Sequence, residues 1–197
     1  DRSPSRGLGD VYKRQDLLKS FKLHPYDEGT ERGFLRHVLV RVGKNTGEIL
    51  VTLVGGNSMF PKKHDFVKAL VKRFPDITTV TFSVNRTPEM LLLGDNNEVL
   101  YGEGYITDIL CGKRFRISPH SFYQINHAQT EKLYDYAIKA AKLTKKDVLL
   151  DAYSGIGTIG IIASDYVKQV QGIEYNASAV RDLSLIHISE PTRRTPI

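Results

Sequence analysis

The sequence has little cysteine and no long apolar segment. Its one cysteine, Cys111, excludes an internal disulfide and any zinc or iron–sulfur site that needs several cysteines. No apolar run approaches the roughly 18–20 residues that span a bilayer, and residues 1–15 lack the apolar core of a secretory signal. We therefore expect a protein of the reducing cytoplasm, with no membrane partner and no metal or iron–sulfur cluster in this segment.

The rest of the composition is ordinary for a globular protein. Hydrophobic residues make up 41% of the 197 residues and charged residues 25%, which excludes collagen-like, mucin-like and wholly disordered chains. The 28 Lys and Arg against 22 Asp and Glu leave a formal charge of +6, which fits an anionic partner such as nucleic acid. Half of this excess lies in residues 1–15 and 183–197, so charge by itself is a weak indication of RNA.

The two ends of the chain lack the periodicity of folded segments. Residues 1–15 are rich in Arg, Ser and Gly, and residues 183–197 do not continue the helical pattern that precedes them. Both ends resemble translated sequencing adapter, and we expect them to be non-native; the alternative is a natural disordered tail. The part between them is expected to be an internal fragment of a longer protein.

Residues 16–117 form the first predicted module, a small α+β unit. The pattern predicts strands over 34–42, 48–54, 78–85, 99–101, 105–110 and 114–117, with a helix over 63–74. The helix carries one apolar stripe and is ended by Pro75.

Residues 118–182 form the second predicted module. Ser118-Pro119 breaks the chain, and a helix over 128–142 follows with Asn126 as its N-cap. A buried strand over 147–151 then enters a glycine turn. A second strand over 169–174 ends in a carboxylate.

The strand, turn and helix of residues 148–163 carry the most information about chemistry. Glycines within 155–160 match G-x-G-x-x-G, which taken alone is a weak indication of a nicotinamide dinucleotide. Asp151 at the strand end would repel a pyrophosphate but can reach a cationic ligand, which favours S-adenosylmethionine. Glu174 at the next strand tip suits ribose hydroxyls. The alternatives are a helix or loop cap for Asp151 and a tight turn without ligand for the glycines.

Three motifs resemble the RNA (uracil-5-)-methyltransferase family. They are F-R-I-S-P-H-S-F-Y-Q-I-N at 115–126, Q-T-E-K-L-Y at 129–134 and D-A-Y-S-G-I-G-T-I-G at 151–160. Two upstream segments, G-F-L-R-H-V at 33–38 and Gly94-Asp95 through Tyr101-Gly102, are similar to its 23S ribosomal RNA branch rather than its transfer RNA branch. The resemblance covers residues 17–182.

This resemblance implies an α/β fold: a truncated class I, Rossmann-like methyltransferase domain preceded by the small α+β module. It also implies formation of 5-methyluridine in 23S ribosomal RNA, with S-adenosyl-L-methionine as the cofactor. The cofactor residues that it implies are Gln124, Tyr153 and Glu174, and the turn pattern adds Asp151, Gly155 and Gly157. The alternatives are a hydrogen bond at the helix start for Gln124 and a packed core aromatic for Tyr153.

The resemblance also implies covalent catalysis. In that family a cysteine thiolate adds to C6 of uracil, C5 takes the methyl group and a base removes the C5 proton. Neither the nucleophile motif nor the base motif occurs before Ile197, so we expect both beyond this sequence and this chain to be inactive. Cys111 lies in a turn between short strands and is interpreted as incidental.

Basic residues near aromatic residues are the predicted RNA contacts. They are Arg36, His37, Arg41, Lys113, Arg114 and Arg116, which would position phosphates without reading sequence. The alternative is the solvated face of a strand. Two other functions stay open: a nicotinamide-dependent oxidoreductase, and a non-catalytic RNA-binding module formed by residues 33–117.

Overall fold

The computed structural model describes residues 16–86, 92–94 and 97–186, so the predicted non-native residues 1–15 and most of 183–197 lie outside the described residues. The chain divides into two units. The described part of the first unit lies in 16–41 and 49–104, and that of the second in 42–48 and 105–186. The division falls between residues 104 and 105, whereas the sequence predicted a boundary after residue 117.

The first unit contains a four-stranded sheet and one long helix. Its strands are β1 (Leu35–Val42), β2 (Ile49–Gly55), β3 (Ile77–Val84) and β4 (Asn97–Tyr101), in that order across the sheet. Helix α1 (Lys63–Arg73) connects β2 to β3, which run parallel, while β4 is antiparallel to β3. The strands and the helix that the sequence predicts here are confirmed to within a few residues.

An aromatic cluster forms the core of the first unit. Phe34, Phe60, Phe66 and Phe82 are buried, and their ring centroids lie 4.6–5.7 Å apart. Phe66 comes from the apolar stripe of α1 and Phe82 from the central strand β3, so the cluster joins helix and sheet. Aromatic side chains bury large apolar areas, so this cluster contributes strongly to the stability of the unit.

The second unit contains two small sheets and three helices among the described residues. β5 (Ile106–Leu110) pairs antiparallel with β6 (Lys113–Ile117), and β7 (Val148–Ala152) pairs parallel with β8 (Gln169–Ile173). The helices are α2 (His127–Ala141), α3 (Thr158–Ala163) and α4 (Ala177–Ile186). β6 packs against α3 and α4, which explains why the β5–β6 hairpin belongs to this unit. None of the described helices has the length and apolar character needed to cross a membrane.

Helix α4 continues beyond the point where the sequence pattern predicts its end. The helix reaches Ile186, although the sequence pattern predicts that periodic structure stops near Asp182. The side chain of Leu183 lies against the glycine turn, where a Cβ on Gly157 would collide with it. A single packing contact of this kind leaves no periodic pattern in the sequence, so residues 183–186 could not be recognised as helical.

Candidate cofactor site

The site lies where β7 and β8 end. The two parallel strands are in register, with Asp151 opposite Gly172 and Ala152 opposite Ile173. The turn that follows β7 and the carboxylate that follows β8 therefore emerge at the same edge of the sheet. The carboxyl ends of parallel strands are where ligands bind in open α/β sheets.

Asp151, near the end of β7, forms a hydrogen bond to the start of the helix that follows the glycine turn. Its Oδ2 accepts a hydrogen bond from the backbone N–H of Gly160 at 3.0 Å. Gly160 is in the first turn of α3, whose amides have no partner within the helix, so Asp151 acts as a helix cap. Burial raises the pKa of this carboxyl, the Gly160 hydrogen bond opposes that rise, and the nearby charge of Glu174 adds to it. The cap that the sequence left as an alternative is present, and a ligand role stays a prediction.

The three glycine positions of the turn require glycine for different structural reasons. Gly155 and Gly157 have φ of +57° and +76°, a region that residues with a Cβ rarely adopt. Gly160 has a Cβ position only 2.9 Å from Val170 Cγ1 and from Asp151 Oδ2, so it allows α3 to pack closely on the strands. At Gly155 a Cβ would meet no atom of the described residues within 4 Å, which leaves open space beside the turn.

Glu174 closes the turn from the neighbouring strand. Its Oε2 accepts from the N–H of Gly155 at 2.7 Å and its Oε1 from the N–H of Asn176 at 2.6 Å. Each carboxylate oxygen has a second lone pair, so the group can still accept from hydroxyl donors. These two bonds hold the carboxylate at the edge where the turn opens.

Tyr153 is both strained and exposed. Its φ is +66°, which is a genuine outlier for a bulky residue, and its side chain is 94% exposed. The packed core aromatic that the sequence left open for Tyr153 is therefore wrong. Strain of this kind is maintained only when the surroundings impose it, and it is common at ligand sites.

Gln124 lies in the loop between β6 and α2. Its side chain is exposed, as are those of Phe122 and Ile125. The start of α2 is capped by Asn126, whose Oδ1 accepts from the N–H of Gln129 at 3.2 Å, and this confirms the predicted N-cap. The capping position at the helix start is thus taken by Asn126, and a cofactor role for Gln124 stays a prediction.

Two buried carboxylates near this loop were not predicted. Asp108 is fully buried on β5 and Asp182 is 3% exposed on α4. Asp108 had a detectable sequence signal, because it shares the buried face of β5 with Ile106 and Leu110 at a spacing of two residues. Asp182 had no such signal, since its partners lie more than sixty residues away along the chain.

Cys111 is poorly suited to act as a nucleophile. It lies in the tight turn between β5 and β6 with φ of +49°, and its N–H donates to Glu131 Oε1 at 3.1 Å. Burial raises the pKa of its thiol, and the charges of Glu131 and Asp135 raise it further. The thiolate is the reactive form, so this environment lowers reactivity and agrees with the interpretation of Cys111 as incidental.

The predicted RNA contacts have different surroundings. Arg36 is held within the first unit, since its Nε and Nη2 donate to the two oxygens of Glu28 at 2.9 and 2.7 Å. Its guanidinium also lies over the ring of Tyr26. His37 is exposed in the same strand, and burial lowers the pKa of Arg41. Arg114, in the second unit, donates from Nη1 to Thr107 Oγ1 at 3.0 Å. Their RNA role stays a prediction.

Curated relatives of the chain share one description. An RNA methyltransferase of Oceanobacillus iheyensis is 39% identical over 171 residues, which cover 87% of this chain and 37% of the relative. RNA methyltransferases of Staphylococcus aureus and Halalkalibacterium halodurans are 38% and 39% identical over 168 residues, which cover 85% of this chain and 37% of each relative. The chain is related to RNA methyltransferases. No protein-family model matches it.

A solved structure extends the relationship to the fold. The tRNA (uracil-54, C5)-methyltransferase of Pyrococcus abyssi, in complex with S-adenosyl-L-homocysteine, superposes with a TM-score of 0.73 at 25% identity. The match covers 89% of this chain and 42% of that one, so the predicted α/β methyltransferase fold is confirmed. The chain thus spans less than half the length of these relatives and of this solved structure. These matches do not favour the nicotinamide-dependent alternative.

Proposed function

We propose that this chain is the cofactor-binding part of an S-adenosylmethionine-dependent methyltransferase that forms 5-methyluridine in 23S ribosomal RNA. The observation that carries the proposal is the match to an archaeal uracil-C5 methyltransferase with S-adenosyl-L-homocysteine bound. That match supports the cofactor and the uracil chemistry. The ribosomal substrate is supported by the resemblance of residues 33–38 and 94–102 to the 23S branch.

The residues at the edge of β7 and β8 fit this cofactor. The turn has open space beside Gly155, and within the described residues the buried Ser154 Oγ has no hydrogen-bond partner. Glu174 would accept from the ribose hydroxyls, the exposed ring of Tyr153 would pack beside the cofactor, and Gln124 would hydrogen-bond its methionine part. When bound, the cofactor supplies a methyl group on a positively charged sulfur.

The nucleophile and the base are proposed to lie beyond these 197 residues. Attack on uracil requires a thiolate, because C5 is too weak a nucleophile without covalent addition at C6. Cys111 does not meet this need, since burial and nearby acidic groups raise its pKa. We therefore propose that the chain binds the cofactor without transferring a methyl group.

Calorimetric titration of the chain with S-adenosyl-L-homocysteine and, separately, with NADH tests the proposal. We expect saturable binding of the first ligand and none of the second, with binding weakened at least about tenfold in Glu174→Gln, the loss of one charged hydrogen bond. The matched control is Asp135→Asn, which neutralises an exposed carboxylate that contacts Lys139 on α2 instead of the site. Binding of NADH alone would contradict the proposal.

RNA specificity needs a separate measurement. Competition between 23S ribosomal RNA and transfer RNA transcripts for the chain should favour the ribosomal transcript, and affinity should fall as salt rises because phosphate contacts release counterions. Preference for transfer RNA would contradict the ribosomal assignment and leave the cofactor proposal intact. Incubation of the chain and RNA with labelled S-adenosylmethionine should give no methylated RNA. If the chain did transfer the methyl group, the nucleophile would have to lie within these 197 residues.

A further inference from the structure

The loop of residues 118–127 is held from within at two separate points. Its side chains divide into two sets. Ser121 is fully buried and Tyr123 is partly buried, whereas Phe122 and Gln124 are exposed. In a segment of this kind, hydrogen bonds of the buried residues hold the loop in place, and the exposed residues can contact a ligand.

Asp182 of α4 holds the first point. Its Oδ2 accepts from the hydroxyl of Ser121 and, at 3.2 Å, from the backbone N–H of Ser118. The hydroxyls of Ser118 and Ser121 also lie 2.8 Å apart, so carboxylate and both serines form one connected group. The carboxylate is 3% exposed, and a buried charge is tolerated only when it is paired and hydrogen-bonded.

Arg116 supplies the opposite charge. Its Nε lies 3.2 Å from Asp182 Oδ1, and its guanidinium stacks 3.6 Å above the ring of Tyr105. The stacking fixes the plane of the guanidinium and therefore the direction of its contact with the carboxylate. Arg116 is the last but one residue of β6, so the ion pair joins α4 to the strand from which the loop begins.

Asp108 of β5 holds the second point. Its Oδ2 accepts from the hydroxyl of Tyr123 at 3.2 Å and lies 3.6 Å from His127 Nε2, at the start of α2. Its Oδ1 accepts from the N–H of Asn45 at 2.8 Å. His127 also contacts the carbonyl of Ile109 through Nε2 at 2.8 Å. The far end of the loop is thus tied to β5.

We propose that Asp182 and Asp108 are positioning residues of the cofactor site, which hold the loop at both ends so that Gln124 faces the ligand. The inference rests on the proposed function. Gln124 lies between the two tethers, one residue beyond Tyr123 and three beyond Ser121. Asp182 lies on α4, the helix that follows Glu174 in the chain. This helix therefore connects the Glu174 side of the site to the loop that carries Gln124. Neither carboxylate touches the cofactor; each acts through the loop.

A double-mutant cycle tests whether Asp182 acts through Gln124. Asp182→Asn should weaken binding of S-adenosyl-L-homocysteine about tenfold in the wild-type background, the size expected for losing one hydrogen bond to a charged group. In a Gln124→Ala background the same substitution should have little further effect, because the side chain that it positions is gone. Equal losses in both backgrounds would overturn the positioning role.

Hydrogen exchange of the unliganded chain gives a second readout, which does not need cofactor binding. Asp182→Asn and Tyr123→Phe should each increase exchange at the backbone amides of residues 118 and 120–126, with β2 and β3 unchanged. Asp135→Asn is the matched control, since its carboxylate is exposed on α2 and contacts Lys139. Unchanged exchange in the loop of both test variants would overturn the inference.

The two readouts separate the possible failures. If the wild-type chain does not bind S-adenosyl-L-homocysteine, the proposed function fails, while the exchange experiment still decides whether the carboxylates hold the loop. If it binds and the variants bind equally well, the inference fails and the proposed function stands. Ser121→Ala, which leaves the Arg116–Asp182 pair intact, serves if Asp182→Asn does not fold, with the same increase in exchange expected at the loop.

Discussion

Among the described residues, β2 and β3 of the first unit and β7 and β8 of the second unit form parallel pairs, and the two pairs are buried to different degrees. Every residue of β2 after Ile49 is buried, whereas none of β7 is. Val148 and Leu150 of β7 are 53% and 57% exposed, so the strand predicted over 147–151 is present but its predicted burial is wrong. Parallel strands are normally covered on both faces. The pair that forms the edge of the candidate cofactor site is therefore the one with less apolar support.

The difference teaches that the two units are stabilised in different ways. The first unit is stabilised by the buried phenylalanine cluster between α1 and the sheet. Around the site in the second unit, buried or capping carboxylates hold backbone and side-chain donors, as Asp151, Asp182 and Glu174 do. Apolar burial is proportional to area and tolerant of detail, whereas hydrogen bonds require geometry. Hydrogen bonds are therefore better suited than apolar burial to a site that must hold a ligand in one orientation.

The largest effect is expected from truncation in the phenylalanine cluster. Phe66→Ala should lower the free energy of unfolding by about 3–5 kcal/mol, because it removes a buried ring and leaves a cavity. Urea denaturation followed by circular dichroism measures this. Met59→Ala is the control, since Met59 is 76% exposed, and it should change stability by less than about 0.5 kcal/mol. Similar losses in both variants would contradict the account of the first unit.

A smaller effect is expected in the glycine turn, where two glycines form a matched pair. Gly155→Ala places a Cβ on a residue with a left-handed backbone and creates no clash with the described residues. It should lower the free energy of unfolding by about 1–2 kcal/mol. Gly157→Ala creates the same backbone strain, and its new Cβ also collides with Leu183. It should therefore lower the free energy of unfolding by more than Gly155→Ala does. Urea denaturation of both variants isolates the clash as the difference between them. Equal losses would contradict a fixed contact between Leu183 and the turn.

The helices and strands were largely predictable, because they follow from local patterns. The stripe of Phe66, Leu70 and Phe74 and the following Pro75 define α1, and the apolar run before Asp151 defines β7. The glycines at 155 and 157 were predictable for the same reason, since a strand-to-helix turn requires positive φ. These features depend on residues that are neighbours in the sequence.

The long-range contacts of the site could not be predicted. The bond from Ser121 to Asp182 joins α4 to a loop in the other half of the second unit, and no local pattern records it. Likewise, the burial of Arg36 against Glu28 depends on the course of the chain before β1. The sequence also left two positions open for Tyr153, a cofactor contact or a packed core aromatic, and only the structure shows that the residue is exposed.

The smallest effect is expected from the titration of Asp151. Burial raises its pKa above the usual 3.8, so the folded chain holds this proton longer than the unfolded chain does. The free energy of unfolding should therefore fall as the pH rises from about 3.8 through the folded pKa, and Asp151→Asn should abolish that part of the slope. Urea midpoints at a series of pH values measure this. A slope that is identical in the variant would contradict it.

Hydrogen exchange with and without S-adenosyl-L-homocysteine tests the central claim most directly, namely that the less buried parallel pair forms the cofactor site. We predict that saturating ligand slows exchange at residues 122–126, 153–157 and 174–176 and leaves β1 to β4 unchanged. Slowed exchange confined to the first unit, or none in the chain, would contradict the account.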